Sequence, residues 1–408
     1  MHVAVVALPS GNGAINFFPA IQNSTSNVSL AEVIPADDPR PHRPTFARIS
    51  SQALAANFRA FRHHVKSARI MPVLKADAYG HGLLQCARLF GDLGADSFGV
   101  AFVEEGITLR RAGFRQPVLV LGGIVGSQIS LFLEHDLDMT ASSVFKLDAI
   151  NETAAGMGRR ARVHLKIDTG MNRIGQSWRT VTALFEAAKR CTHVEIAGIY
   201  SHLAVAEDFH SDFSELQIAR FRRVLDEAES LGLSVGLRHI ANSAGAIRFP
   251  DAHFDMIRPG IGLFGLHAAP ELQEIFPLEP ALWLISEIVY MKRVRKGEGV
   301  SYGLMWNAPE DLWLATVAVG YGDGYPRLLG RGASVLIGGK RYPIVGAVCM
   351  DQLMVNLGKD RYRVGEPVVL WGKQGQEEIT LWDLCKPSGF IPYELPILLT
   401  GRVPRVYV

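Results

Sequence analysis

The sequence predicts an α/β fold, with an N-terminal (β/α)8 TIM-like barrel followed by a C-terminal mostly-β domain. Three observations predict it. Short apolar runs alternate with amphipathic helical stretches eight times between residues 44 and 268. After about Leu266 the alternation stops and β-like runs with Gly-rich turns take over. No G-x-G-x-x-G follows an early strand, which removes the main support for a doubly wound sheet.

Regular patterning begins near Phe46, where Leu54, Phe58, Phe61 and Val65 give one apolar helical face. Met71 to Lys75 reads as the first buried barrel strand. Phe98–Val100, Val118–Leu121, Leu137–Thr140, Val163–Ile167, Val194–Ile199, Leu237–Ile240 and Phe254–Ile257 supply the other seven, and Asp212 to Leu231 is a clear amphipathic helix between two of them. In the second domain, residues 269–408, strands are expected at Trp283–Tyr290, Leu312–Val319, Ala333–Ile337, Ile344–Val348 and Pro367–Leu370. Residues 1–43, rich in Asn, Ser and Pro, read as a flexible extension.

Composition narrows the function. The 408 residues carry 42 Lys+Arg against 40 Asp+Glu, a balance of +2 that argues against nucleic-acid binding or a polybasic membrane contact. The most apolar long stretch, Pro117 to Leu133, is interrupted by Gly122-Gly123, Ser127, Gln128 and Ser130, so no membrane span is expected. The first basic residue is Arg40 and Pro9 ends the short apolar run Val3 to Leu8, a poor fit to a secretory signal. Cys86, Cys191, Cys349 and Cys385 form no C-x-x-C pair, which points to free thiols in a reducing cytoplasm rather than a metal site.

Lys75 ends the first barrel strand, inside Val73-Leu-Lys-Ala-Asp-Ala-Tyr-Gly-His-Gly82. Barrel active sites are built at the C-terminal ends of strands, and a desolvated lysine there is a nucleophile for carbonyls. The competing reading is a lysine in a strand-end salt bridge, and position alone does not decide between them. His239-Ile-Ala-Asn-Ser243 ends the seventh strand and opens a helix, a place suited to a phosphate or equally to a plain helix cap at Asn242 and Ser243. Arg258-Pro-Gly-Ile261 follows the eighth strand, where the amides of Gly260 and Ile261 can complete a phosphate cradle. For Arg258 the alternative is a pair with Asp255.

The segment around Lys75 resembles the cofactor-attachment signature of the alanine racemases, enzymes dependent on pyridoxal 5′-phosphate (PLP), and the resemblance extends from about Arg43 to Val408. It implies that Lys75 holds PLP and is one catalytic base, and that Tyr79 contacts the phosphate. Lys166-Ile-Asp-Thr-Gly-Met-Asn-Arg173 resembles a second family motif, in which Arg173 contacts cofactor and substrate carboxylate and Lys166 is a candidate for carbamylation. Arg258 corresponds to the arginine facing the pyridine nitrogen, positioned by His239. Tyr302, in Gly297-Glu-Gly-Val-Ser-Tyr302, corresponds to the second catalytic base, delivered across a homodimer to the partner's barrel and hydrogen-bonded by His202. Met350, in Val348-Cys-Met-Asp351, resembles the residue whose amide binds the substrate carboxylate. Tyr393 matches a second phosphate and gate tyrosine, and Tyr321 lies in a segment lining the entrance.

Two departures touch the entrance. Ala347 stands where the family usually has an arginine, and Glu207 where it has an aspartate. The implied activity is interconversion of L- and D-alanine by two bases, with a racemase of broader range, such as one accepting serine, as the alternative. A PLP decarboxylase of the same architecture finds no support in Ser301-Tyr302-Gly303, and a PLP-holding barrel protein without turnover has no use for the second domain or Tyr302. Whether the product would be a peptidoglycan precursor or the step catabolic stays open in the sequence.

Overall fold

The computed structural model describes residues 42–408, so the expected extension lies almost wholly outside the described residues. The first strand, β1 (Phe46–Ile49), corrects the expected domain boundary. It pairs antiparallel with β11 (Leu282–Val294) and parallel with β20 (Arg405–Tyr407), and so belongs to the second domain's sheet rather than to the barrel. The described residues therefore start in the second domain, make the barrel, and return.

The barrel strands are β2 (Arg69–Ile70), β3 (Phe98–Val100), β4 (Val118–Val120), β5 (Met139–Ala141), β6 (Ala161–Asp168), β8 (Val194–Tyr200), β9 (Leu237–His239) and β10 (Met256–Ile257), with a two-residue β7 (Gln176–Ser177) appended to β6. Parallel pairing joins β3 to β4, β5 to β6, β6 to β8, β8 to β9 and β10 back to β2. Parallel bridges Val73–Gly99 and Leu119–Asp138, and the Asp255 N–H donating to Arg238 O at 3.0 Å, close the remaining gaps. Strands such as Phe98–Val100 and Val118–Val120 are buried at every residue because helices cover them outside and side chains fill the barrel inside.

The helices follow their sequence signals. Ser51–Val65 starts where Ser50 Oγ accepts the Ala53 N–H, and it buries Leu54, Phe58, Phe61 and Val65. Phe213–Ser230 runs within one residue of both limits read from the sequence.

In the second domain β11, β14 (Leu312–Val317), β17 (Leu353–Gly358), β16 (Lys340–Val345), β15 (Ser334–Ile337) and β18 (Pro367–Gln374) pair in that order, all antiparallel, and β18 returns to β11. Six strands thus close into a second barrel, which removes exposed edges. The short pair β12 (Gly299–Val300) and β13 (Trp306–Asn307) projects the turn bearing Tyr302, and β19 (Glu377–Ile379) extends β18.

The second domain also grips the turn after Lys75. Arg405 Nε donates to Gly80 O at 3.2 Å and the Tyr407 hydroxyl to His81 O at 2.7 Å. Gly80 has φ +81°, and a Cβ there would lie 2.1 Å from Pro396 O on the helix Glu394–Leu398. Gly80→Ala is therefore expected to cost about 3 kcal/mol or more in denaturant unfolding. Gly94→Ala, at φ +86° with open space around it, should cost roughly 1–2 kcal/mol; equal losses would show that the contact with Pro396 is not what requires glycine.

Candidate active site

The barrel mouth opens into a cavity of about 520 Å³. Lys75, Tyr79, Lys166, Arg173, His202, Asn242, Ser243, Arg258, Gly260, Ile261 and Tyr393 all line it, each from the C-terminal end of a strand or a loop beyond it, apart from Tyr393 in the second domain. The structure thus brings together eleven of the expected site residues.

Lys75 does not continue its strand. Ala76, Asp77 and Ala78 take φ of 52–54° with ψ of 47–54°, and Tyr79 has φ 53°, a left-handed turn of four non-glycine residues. Each costs roughly 1–2 kcal/mol relative to right-handed backbone. The turn closes on itself: the Ala78 N–H donates to Leu74 O at 2.8 Å, Gly80 N–H to Ala76 O at 3.0 Å, and Asp77 Oδ1 accepts the Leu83 N–H at 2.7 Å. Its result is that Lys75 and Tyr79 both face the cavity. Desolvation, then the charge of Arg173, hold the Lys75 amine below the ordinary lysine range, with Glu105 acting in the opposite direction. A lowered value increases the neutral, nucleophilic fraction.

One wall is cationic. Arg258 is 3% exposed, and its partner is not Asp255, which is held by Arg238 at 2.7 Å. Instead its guanidinium donates to His239 Nδ1 at 2.8 Å, Ser201 O at 2.8 Å, Ile240 O at 3.1 Å and His202 Nδ1 at 3.3 Å. Burial lowers its pKa to about 10, still charged at neutral pH. Burial, then Arg258 itself, hold His239 and His202 well below the usual imidazole range, so both are neutral. With its Nδ1 accepting from Arg258, His239 carries its proton on Nε2 and donates to His164 Nδ1 at 2.9 Å; His164 Nε2 in turn lies 3.5 Å from Asp138. A chain of donors thus runs from Arg258 to a carboxylate three side chains away.

Lys166 is 4% exposed, with its amine 4.2 Å from the Tyr200 ring centroid. Burial, then Arg258 and Arg173, hold it well below the ordinary lysine range, against the weaker pull of Asp168. Lys166 is thus a buried base rather than a surface one, whereas Arg173 is exposed within the cavity mouth. Tyr200, which sequence reading missed, stacks on His239 with the rings 4° from parallel and lies under both the Lys166 amine and the Arg258 guanidinium. Its only signal was its place at the end of a barrel strand.

Another part of the cavity lining presents donors. Asn242 Oδ1 caps its helix by accepting the Gly245 N–H at 2.8 Å, so the helix-cap reading holds for that side chain. Ser243 Oγ accepts the amides of Gly260 at 3.0 Å and Gly262 at 3.2 Å. The Gly260 amide is thus spent on Ser243 rather than pointing free at a ligand, and the Ser243 hydroxyl, with both lone pairs used, is left to donate. A Cβ at Gly260 would lie 2.5 Å from the Tyr79 hydroxyl. Burial raises Tyr79 and Tyr393 above the ordinary phenol range, so both remain protonated donors.

Tyr302 and Met350 are not in this cavity. Tyr302 is 75% and Met350 50% exposed, on one chain's surface with Leu304, Met305 and Tyr321 also exposed. The two loops are tied together: Ser301 Oγ donates to Ala347 O at 2.7 Å, and the Gly322 N–H to Met350 O at 2.8 Å. Glu207 lines the cavity beside Tyr393, and Ala347 lies in the exposed loop pair.

These residues fit PLP. One cavity holds an amine of lowered pKa, hydroxyl donors around a cradle that a Cβ would fill, and a buried guanidinium whose partners among the described residues are neutral.

Residues 49–268 match the family model for the alanine racemase N-terminal domain and residues 281–407 that for the C-terminal domain. An alanine racemase of Symbiobacterium thermophilum is 42% identical over 366 residues, covering 90% of this chain and 97% of that protein. The solved alanine racemase of Clostridium difficile 630 superposes with a TM-score of 0.85 at 34% identity, covering 90% of this chain and 97% of its own. A histidine racemase of Leuconostoc mesenteroides is similar too, with a TM-score of 0.82 at 33% identity and coverage of 90% and 99%. On these grounds, and with the Lys75 turn and the Arg258 wall in place, the chain belongs to the alanine racemase family.

Proposed function

We propose that this chain interconverts L- and D-alanine, with PLP bound through Lys75 and the second base supplied as Tyr302 of the partner subunit in a cytoplasmic homodimer. The observation that carries the reading is the asymmetry of the cavity: an amine base on one wall, and the expected second base 75% exposed on a different surface of the same chain. PLP, when bound, supplies an aldehyde that takes the amino group and a conjugated ring that accepts charge from Cα.

The residues do the rest. Tyr79, Tyr393 and Ser243 donate hydrogen bonds to the phosphate, alongside the Ile261 amide. Arg173, with the amide of Met350 of the partner subunit, orients the substrate carboxylate. Lys75, as a neutral amine, removes the Cα proton of D-alanine from one face, and Tyr302 of the partner subunit removes that of L-alanine from the other. Two opposed bases are required because a single one returns the proton to the face it left. His202, neutral and beside Arg258, is placed to hydrogen-bond Tyr302 of the partner subunit. Arg258 donates to the pyridine nitrogen but does not surrender a proton to it, which limits charge spreading into the ring.

Lys166 fits carbamylation. Its neutral amine attacks carbon dioxide, forms an N–C bond and releases a proton, and the resulting anion offsets Arg173 and Arg258. A broader substrate range is the second reading, favoured by Ala347 at a position where the family's arginine would narrow the entrance.

Purified protein should racemise both alanine enantiomers, and a panel including serine and histidine ranks the substrates. No racemisation of any amino acid, with PLP bound, would leave only a PLP-holding protein; carbon dioxide release would indicate a decarboxylase. Lys75→Ala and Tyr302→Phe should each be nearly inactive as pure dimers. Mixing them should restore up to about half the activity per heterodimer, because one site keeps both bases while the other loses both; no recovery after verified exchange would place Tyr302 in its own chain's site. In Arg258→Glu, which can share a proton with the nitrogen, racemisation should slow while pyruvate and pyridoxamine phosphate per racemisation rise. A ratio equal to wild type with PLP retained would remove Arg258 from this role.

A further inference from the structure

We propose that Glu105 is a positioning residue, whose carboxylate holds the left-handed turn that carries Lys75 and so fixes where the Lys75 amine stands. Glu105 Oε1 accepts the Ala76 N–H at 2.7 Å, while Oε2 accepts the amides of Ala101 at 2.7 Å and Phe102 at 3.2 Å. Ala76 follows Lys75 directly and is the first residue with left-handed dihedrals. Ala101 and Phe102 lie beyond β3, at the start of the helix Val103–Arg111. One carboxylate therefore ties the loop after β2 to the loop after β3.

The tie answers a specific backbone need. Within the turn, the Ala78 and Gly80 amides reach carbonyls of Leu74 and Ala76. The Ala76 amide opens the turn, as the first amides of any helical turn do, and takes a side-chain acceptor instead. A carboxylate accepts in several directions at once, whereas an amide side chain has a single accepting oxygen. The same anion offsets the effects of desolvation and of Arg173 on Lys75, so it acts on the amine's charge as well as on its position. Glu105 belongs to no sequence motif recognised around Lys75, because it comes from the first turn of the helix that follows β3.

The inference rests on Lys75 as the cofactor lysine. Hydrogen exchange of full-length protein, with and without PLP, reads the turn directly and does not depend on turnover. In Glu105→Gln, one oxygen still caps the helix while the second acceptor and the charge are gone. Amides of residues 75–82 should then exchange roughly tenfold faster than in wild type, the size expected for one charge-assisted hydrogen bond. PLP should dissociate several-fold faster, in proportion, and Glu104→Gln, on the exposed side of the same helix, should change neither. The result that would overturn the proposal is unchanged exchange at 75–82 in Glu105→Gln, with faster exchange at 103–111, which would make Glu105 a helix cap alone. Should Glu105→Ala also fold, it must loosen 75–82 at least as much. Loosening without any racemisation by wild type would sink the functional reading and leave this one standing.

Discussion

A guanidinium buried without a carboxylate partner is the constraint from which most of this site follows. Arg258 is held by neutral acceptors only, two carbonyls and two imidazole nitrogens, and its charge stays in a cavity wall closed to water. Burial first, and then its charge, keep His202 and His239 neutral and hold the Lys166 amine well below the ordinary lysine range. Neutral imidazoles can then pass a directed set of hydrogen bonds outward to Asp138, which places the compensating anion far from the ligand. The cavity is left short of negative charge, and a phosphate, a carboxylate and a carbamate are the groups that remedy the shortage.

A second constraint is mechanical. Four consecutive left-handed residues do not persist by their own preference, and the molecule over-determines them from three sides. The turn's own hydrogen bonds hold it from within, Glu105 holds its opening amide, and Arg405, Tyr407 and Pro396 of the second domain close over Gly80 and His81. The return of the chain through β20, paired with β1, is what brings Arg405 and Tyr407 there. The second domain is thus both a buttress for its own barrel's lysine and the carrier of an exposed tyrosine that its own cavity does not use.

Hydrogen bonds join the loops on that exposed face. Ser301, at φ +67°, binds the carbonyl of Ala347, and the Tyr321–Gly322 amides bind Cys349 and Met350. These bonds set the turn bearing Tyr302 and the loop bearing Met350 in a fixed relation within one chain.

The sequence by itself determined the fold class, most of the barrel strands and eleven of the residues that line the cavity, because each is a local property: an apolar period, a strand end, a helix start, a motif of adjacent residues. It did not name Leu353–Gly358 or Arg405–Tyr407 as strands. The helix Phe213–Ser230 and the strand Phe98–Val100 are legible for that reason. What the tertiary structure decided was non-local. β1 joins the second domain because its partners, Leu282–Ile285 and Arg405–Tyr407, lie more than two hundred residues away and no short-range pattern names them. Tyr200 and His164 gain their roles from side chains on other strands, Glu105 gains its role from the Ala76 amide of another loop, and Asp255 is taken by Arg238 rather than Arg258 because the strand register puts it there. A single sequence records which groups are present; the charge each one carries depends on burial and neighbours, and those exist only once the barrel has closed.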